Sequence, residues 1–277
     1  MGSRPNVILT AADEFYFRTF CQFVYTFHST KEYKNSELIC YDLGFNEDQK
    51  HHLKQLSKKV PNLSVRSFDF SKYPEFVQLK YKTYSFKPIM VKEVFEEKQG
   101  NLLWLDSATI LIKPLDYVWN QINEHGLYAP IGGSGTLKEW TVQQTLDYMN
   151  VPESYHNHRN ICGCMCGFGY HNQAIRELVS EWEKYSLIHE CIKPEGANRA
   201  NHRDDQSVLT ILLYQFQESK GIYLTKDEVN ISSQHPVNYL SVRNKLKPNF
   251  PYNLSWLSVF YFNLHRRMDI LVNRIKS

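Results

Sequence analysis

The chain has 277 residues, and its 42% hydrophobic and 14% aromatic content is enough to build a sizeable core. That composition excludes a disordered, collagen-like or coiled-coil protein. Lysine and arginine exceed aspartate and glutamate by 32 − 29 = 3, which makes no electrostatic case for nucleic acid or an anionic membrane as partner. The apolar stretch Leu254 to Leu264 is broken by Ser255, Ser258 and Asn263, and a bilayer span needs about 20 apolar residues.

Met1-Gly2-Ser3-Arg4-Pro5 lacks the apolar core of a signal peptide, and Gly2-Ser3 reads as a scar left where an upstream segment was removed. Asn62, Asn230 and Asn253 each begin an Asn-x-Ser triplet, an acceptor for glycans in a secretory compartment. The expected location is the Golgi or secretory lumen if an N-terminal anchor has been removed, and the cytoplasm otherwise. Any membrane contact is expected through such a segment alone. Six cysteines are too few for a disulfide scaffold at this length.

The elements alternate. Asn6 to Thr10 reads as a strand that ends at Ala11-Ala12-Asp13, and Phe17, Phe20, Cys21, Val24 and Phe27 form the stripe of a helix. Glu37 to Tyr41 is a second strand, Asn46 to Lys58 a polar helix, and Leu63 to Phe70 a third strand. A helix starts near Ser85, a good N-cap with Pro88 in the first turn, and carries Met90, Val91, Val94 and Phe95 inward. Leu102-Leu103-Trp104-Leu105 is the most apolar strand and runs into Asp106. Thr109 to Ile112 continues extended, and Pro114 opens another helix. Later stripes fall at Ile175, Leu178, Val179, Trp182 and at Val208, Ile211, Leu212, Tyr214. Strands alternating with helices predict an α/β fold, a mostly parallel sheet flanked by helices. From about Leu224 the pattern turns irregular, so residues 6–225 read as the main domain and 226–277 as an extension packed on it.

In such sheets ligands collect at the carboxyl ends of strands. Asp13 and Asp106 fall at strand ends, and Asp204-Asp205 precede a helix. There Asp204 reads as an N-cap, leaving Asp205 to face a pocket. Cys162-Gly163-Cys164-Met165-Cys166 alternates like a strand, its thiols packed as small hydrophobes, with a bridge to Cys191 as the alternative; a zinc site would need another spacing and a fourth ligand. His51-His52 and His156-Asn157-His158 read as solvent-facing. Gly132-Gly133-Ser134-Gly135 lacks the Lys-Ser/Thr of a P-loop and reads as a flexible loop.

The runs Asn6-Val-Ile-Leu-Thr-Ala-Ala-Asp-Glu-Phe-Tyr16, Tyr41 to Gln49, Leu103-Trp-Leu-Asp-Ser-Ala-Thr-Ile-Leu111 and Asp204-Asp-Gln-Ser207 occur in this order. Together they resemble the nucleotide-sugar glycosyltransferases of the GT-A (Rossmann-like) type, closest in pattern to the retaining family-8 enzymes. The chain is also similar to a group of animal glycosyltransferase-like proteins that share Trp-Leu-Asp, Glu190 to Ala197 and Asp-Asp-Gln-Ser. The resemblance covers residues 6–225. It implies transfer of a sugar, hexosyl or pentosyl, from a nucleotide donor, UDP by expectation, to a glycan or other hydroxyl acceptor, with retention of configuration.

It also implies roles for particular residues. Asp13 matches the carboxylate that contacts the base, and Lys87 a basic residue near the sugar nucleotide, with Asp204 grouped on the same substrate-binding side. Asp205 and Gln206 match the catalytic pair near the transferred sugar. Asp106-Ser107-Ala108 stands where an Asp-x-Asp signature holds a divalent metal, Mn²⁺ or Mg²⁺, and His235 matches a metal-coordinating histidine by rough position. Ala108 departs from the signature, since it has no oxygen to ligate. The metal is therefore expected to bind weakly or to be dispensable, with Lys87 taking over part of the charge neutralisation. Two other classes remain: a non-catalytic carbohydrate- or partner-binding protein on the same fold, and a nucleotidyltransferase. The second ranks last because Thr10-Ala-Ala-Asp-Glu14 holds no Gly-rich phosphate loop.

Overall fold

A strand with helices on both faces needs apolar side chains along its whole length, and the segment Leu102 to Leu105 supplies them. In the computed structural model, which describes residues 6–111, 113–229 and 240–241, all of Asn101–Leu105 is buried. In chain order the elements begin with β1 (Asn6–Ala12), α1 (Phe17–Ser29), β2 (Ser36–Asp42), α2 (Glu47–Ser57), β3 (Leu63–Ser67), α3 (Phe86–Lys98) and β4 (Asn101–Leu105). There follow β5 (Ile110–Leu111), α4 (Asp116–His125), β6 (Leu127–Tyr128), β7 (Ile131–Thr136), α5 (Gln143–Tyr148), β8 (Arg159–Ile161) and β9 (Met165–Gly169). The last are α6 (Gln173–Ser186), α7 (His189–Ile192), α8 (Asp205–Lys220), β10 (Glu228–Val229) and β11 (Leu240–Ser241).

The main sheet has the order β3-β2-β1-β4-β9-β6. Strands β1 and β4 run parallel, with Leu9 opposite Trp104, as do β2 and β3; β6 runs antiparallel to β9. A smaller sheet has the order β10-β7-β8, and β5 pairs antiparallel with β11. By its contacts the chain divides into two units. One takes the chain up to Leu9, Phe68–Trp104 and Asp116–Glu228; the other takes Thr10–Ser67, Leu105–Leu115 and the chain from Val229.

In the first unit α3 and α8 bury most of their surface. Phe86 to Val91 are all buried, and so are Ser207 to Leu213. A helix buried nearly all round shows no amphipathic stripe, and its polar residues must find partners inside the protein. In the second unit α1 buries the stripe Phe17, Phe20, Cys21, Val24 and Phe27, joined by Phe23. Its neighbour α2 opens on a capping box: Asn46 Oδ1 accepts from Gln49 N at 3.0 Å, and Gln49 Oε1 accepts from Asn46 N at 3.2 Å.

Several expectations are corrected. The third strand stops at Ser67, because the Asp69 carboxylate accepts from Ser71 N and Oγ at 3.0 and 2.6 Å and turns the chain into 3₁₀ turns. Ser85 precedes α3 but does not cap it: its backbone is already helical, and its hydroxyl bonds to that of Thr83 at 3.1 Å. The Gly132 to Gly135 run is not a loop but part of β7. A Cβ at Gly132 would lie 3.1 Å from the Asn160 carbonyl, and at Gly135, where φ is +74°, it would collide with the Trp140 indole. The cysteine run is not one strand, since β8 ends at Ile161, a turn carries Gly163 and Cys164, and β9 starts at Met165. Of the extension 226–277 only residues 226–229 and 240–241 are described, and His235, Asn230 and Asn253 lie outside the described residues.

Removing the cap on α2 should isolate its contribution. Asn46→Ala should lower the unfolding free energy by about 1 kcal/mol in urea titrations, and Asn46→Asp should restore most of it.

Candidate active site

The first unit brings together four of the residues singled out in the sequence. Lys87 sits in the first turn of α3 and Asp205 is the first residue of α8; the ammonium Nζ lies 2.7 Å from Asp205 Oδ2. Both side chains are nearly excluded from solvent, at 8% and 5% exposure. Lys87 Nζ also donates to the Gly163 carbonyl at 2.9 Å and lies 5.4 Å from the centre of the Trp104 ring. Gln206 follows Asp205, and its amide Nε2 donates to the Ile161 carbonyl at 2.7 Å. Gly163 packs directly on Gln206, for a Cβ there would come 2.9 Å from the Gln206 Cβ. Trp182 Nε1 donates to the Asp205 carbonyl at 3.1 Å, which anchors the helix start from α6.

Asp204 is placed differently from its expected role. It occupies the N-cap position of α8, but its carboxylate caps nothing: Oδ1 pairs with Lys193 Nζ at 2.7 Å. Its backbone has φ +49°, a left-handed conformation that costs a non-glycine residue about 1–3 kcal/mol. Burial pushes its carboxyl above the ordinary value, against the pull of Lys193, Arg199 and Arg203. The two acids therefore part: Asp204 faces Lys193 and Asp205 faces Lys87. Nearby, Arg203 stacks over Trp140, its guanidinium 3.7 Å from the ring centre.

His202 was not singled out from the sequence, and its position next to this acidic pair could have flagged it. It is fully buried; Nε2 donates to the Ile192 carbonyl at 2.9 Å, while Nδ1 has no partner among the described residues. Burial holds its pKa down at about 4, so the ring is neutral at pH 7.

The second unit holds Asp13 and Asp106, each the residue after a strand, β1 and β4, which are parallel neighbours. Asp13 Oδ1 accepts from Tyr16 N at 2.9 Å, tightening the turn into α1. That turn presents two aromatics that sequence reasoning left aside. Phe15 is 80% exposed and Tyr16 46%, packed edge to face at 5.1 Å. Asp106 closes a turn through its carbonyl, which accepts from Thr109 N at 2.9 Å; Ser107 is buried, and Ala108 offers no oxygen. Among the described residues no three His, Cys, Asp or Glu side chains gather as a metal site. Asp106 offers one carboxylate, and a divalent ion held there would take its remaining ligands from donor phosphates and water. His51 is exposed and His52 half-buried, and none of the cysteines is in a disulfide.

Residues 3–92 match a family model described as a protein of unknown function, DUF1647. No curated protein matches the chain. Solved structures do. The bifunctional glycosyltransferase WbbM is 12% identical over 97% of this chain and 45% of its own, with a TM-score of 0.55. An active-site mutant of LgtC is 13% identical over 94% of this chain and 95% of its own, with a TM-score of 0.53. The mannosyltransferase Ktr4p from S. cerevisiae, solved with GDP, is 9% identical over 80% and 69%, with a TM-score of 0.52. Core-mannan synthase A from Aspergillus fumigatus, in an Mn/GDP form, is 7% identical over 93% and 83%, at 0.50. At such identities the likeness establishes the fold: the chain has the GT-A architecture, as its motifs imply.

Two measurements probe the buried charges. Lys87→Met strands Asp205 in the interior and should cost about 3–5 kcal/mol of stability, whereas Lys87→Met with Asp205→Leu should cost far less, because an apolar pair needs no solvation. The second concerns His202. With a folded pKa of about 4 against 6.5 unfolded, the neutral ring contributes stability that is fully present above pH 6.5 and lost as pH falls toward 4. That contribution is about 3 kcal/mol. The stability difference between the protein and His202→Gln should therefore change across pH 6.5 to 4 and stay level from pH 7 to 8.

Proposed function

We propose that the chain is a glycosyltransferase that moves a sugar from a nucleotide donor, with UDP as the nucleotide, to a hydroxyl acceptor with retention of configuration. The observation that carries this reading is the buried Lys87–Asp205 pair with Gln206 beside it, at the start of α8 in a GT-A fold. Glycosyl transfer breaks the bond from the anomeric carbon to the diphosphate, which leaves positive charge on the sugar and negative charge on the leaving group. The acceptor oxygen forms the new bond, and its proton passes to the departing diphosphate. Asp205 and Gln206 give the sugar face a polar lining of weak nucleophilicity. Lys87, Lys193, Arg199 and Arg203 surround Asp204 and Asp205 with cations suited to the growing phosphate charge.

Asp13 is assigned to the base, together with the exposed rings of Phe15 and Tyr16, whose flat apolar faces suit a planar heterocycle. Asp106 is assigned to the donor phosphates through a divalent metal that would arrive with the donor. WbbM, Ktr4p and core-mannan synthase A are a glycosyltransferase, a mannosyltransferase and a synthase, which supports the class of reaction and leaves the donor sugar open. Ala108 favours a second reading, a protein that binds a nucleotide sugar or glycan without turnover.

The test is release of nucleotide from UDP-sugars by the full chain with mixed acceptors, alongside thermal unfolding with each nucleotide. A ligand at a hundredfold excess over its dissociation constant should stabilise by about 2.7 kcal/mol. Stabilisation without turnover of any donor selects the second reading, and neither effect with millimolar nucleotides, nucleotide sugars or glycans overturns both. Asp205→Asn leaves Lys87 an oxygen acceptor but no counter-charge, so it should lose stability by a few kcal/mol. Compared well below its melting temperature, it should bind nucleotide yet lose turnover by about a hundredfold or more. Asp204→Asn should leave turnover nearly unchanged, because that side chain is turned to Lys193 rather than to Lys87. Near-normal turnover in Asp205→Asn would remove that residue from the mechanism.

A further inference from the structure

The turn between β8 and β9 places two thiols against each other across a single glycine. Cys162 Sγ and Cys164 Sγ lie 3.0 Å apart, while a disulfide bond is about 2.0 Å long. Cys162 is buried and its amide donates to the Pro130 carbonyl at 2.8 Å, so its backbone is fixed; Cys164 is half-exposed. The other thiols of the unit are poor reactants. Cys166 and Cys191 are buried, and burial pushes both thiols up, Cys191 to about 12.

The residue between the two sulfurs is the one that holds the buried cluster. The Gly163 carbonyl accepts from Lys87 Nζ at 2.9 Å, and the Gly163 Cα packs against Gln206. Closing the sulfurs by the remaining ångström or so must draw Cys164 toward the fixed Cys162, and the peptide units on either side of Gly163 must turn with it. The Gly163 carbonyl is then re-aimed, and with it an oxygen partner of the Lys87 ammonium.

We propose that Cys162 and Cys164 form a reversible redox site, oxidised by small-molecule disulfides such as glutathione disulfide, that resets the Lys87–Asp205 pair through Gly163. The chemistry is thiol–disulfide exchange. Deprotonated Cys164 attacks one sulfur of glutathione disulfide, forming a mixed disulfide and expelling one glutathione thiolate. Deprotonated Cys162 then attacks the Cys164 sulfur, forming the Cys162–Cys164 bond and expelling the second thiolate. The protein loses two protons and two electrons, and glutathione disulfide becomes two glutathiones. A bond that closes so short a loop gains little from chain entropy, which makes it easily reduced and suited to switching rather than to holding the fold. The site itself stands on the sulfur geometry alone; its consequence for sugar transfer rests on the function proposed above.

The full chain is equilibrated with glutathione and glutathione disulfide over a range of ratios, then alkylated and mapped by mass spectrometry. The expected product is a peptide lighter by two hydrogens that carries an unalkylated Cys162–Cys164 pair, appears with rising disulfide and disappears with dithiothreitol. Cys164→Ser should abolish it. Alkylation of both thiols at every ratio, pairing of either with Cys166 or Cys191, or a mixed disulfide on Cys164 that never resolves overturns the site. Amine-reactive labelling of the same samples reads the coupling and needs no turnover. Labelling of Lys87 should change several-fold on oxidation while that of exposed Lys58 stays constant, and equal labelling of Lys87 in both states overturns the link to the buried pair.

Discussion

The ion pair between Lys87 and Asp205 ties the first turn of α3 to the first turn of α8 inside the protein. Two charges buried at 8% and 5% exposure forgo several kcal/mol of hydration each, and only close geometry with further hydrogen bonds recovers it. The surroundings supply those bonds. Lys87 has the Gly163 carbonyl as a second oxygen, and the Asp205 carbonyl has the Trp182 indole. A well-packed apolar pair would hold the two helices at least as firmly. Retaining charge at this place is thus poorly explained by stability alone and accords with the transfer reaction proposed above.

The same requirement accounts for the awkward backbone at Asp204. Two consecutive carboxylates repel if they point together, and each needs its own cation. The left-handed φ of +49° at Asp204 sends its side chain to Lys193 and leaves Asp205 to Lys87. Strain is spent where it separates two like charges, a local conflict that a purely structural helix start would not carry. An asparagine or serine cap would start α8 with less strain and one charge fewer.

How much of this was legible depended on whether the signal was local. The stripe from Phe17 to Phe27, the apolar run Leu102 to Leu105 and the polar helix after Asn46 are periodic over a single element, and each formed where expected. Lys87, Asp205 and Gln206 were visible as residues but their grouping was not, since the ion pair joins positions 118 apart in sequence, 205 − 87. The errors have the same origin. Ser85 and Asp204 have good capping chemistry, yet Thr83 and Lys193 outcompeted the helix amides for their side chains. Gly132 to Gly135 has loop composition but lies within β7, where Gly132 packs closely on the Asn160 carbonyl of β8 and Gly135 on the Trp140 indole. Exposure of Phe15 and Tyr16 and burial of His202 are properties of tertiary packing, and composition does not encode them.

Gly163 shows why these features belong together. It touches two residues of the neighbouring cluster, through its carbonyl to Lys87 and its bare Cα to Gln206. A side chain at this position would push Gln206 off the Ile161 carbonyl that orients its amide, so glycine is required by contact rather than by backbone angle. Placing a thiol on each side of such a residue couples the polar cluster to the chemistry of the turn. The Lys87 ammonium is buried, so a re-aimed Gly163 carbonyl bears on it directly. A small change in one peptide plane is in this way converted into a change in the charge environment of Asp205.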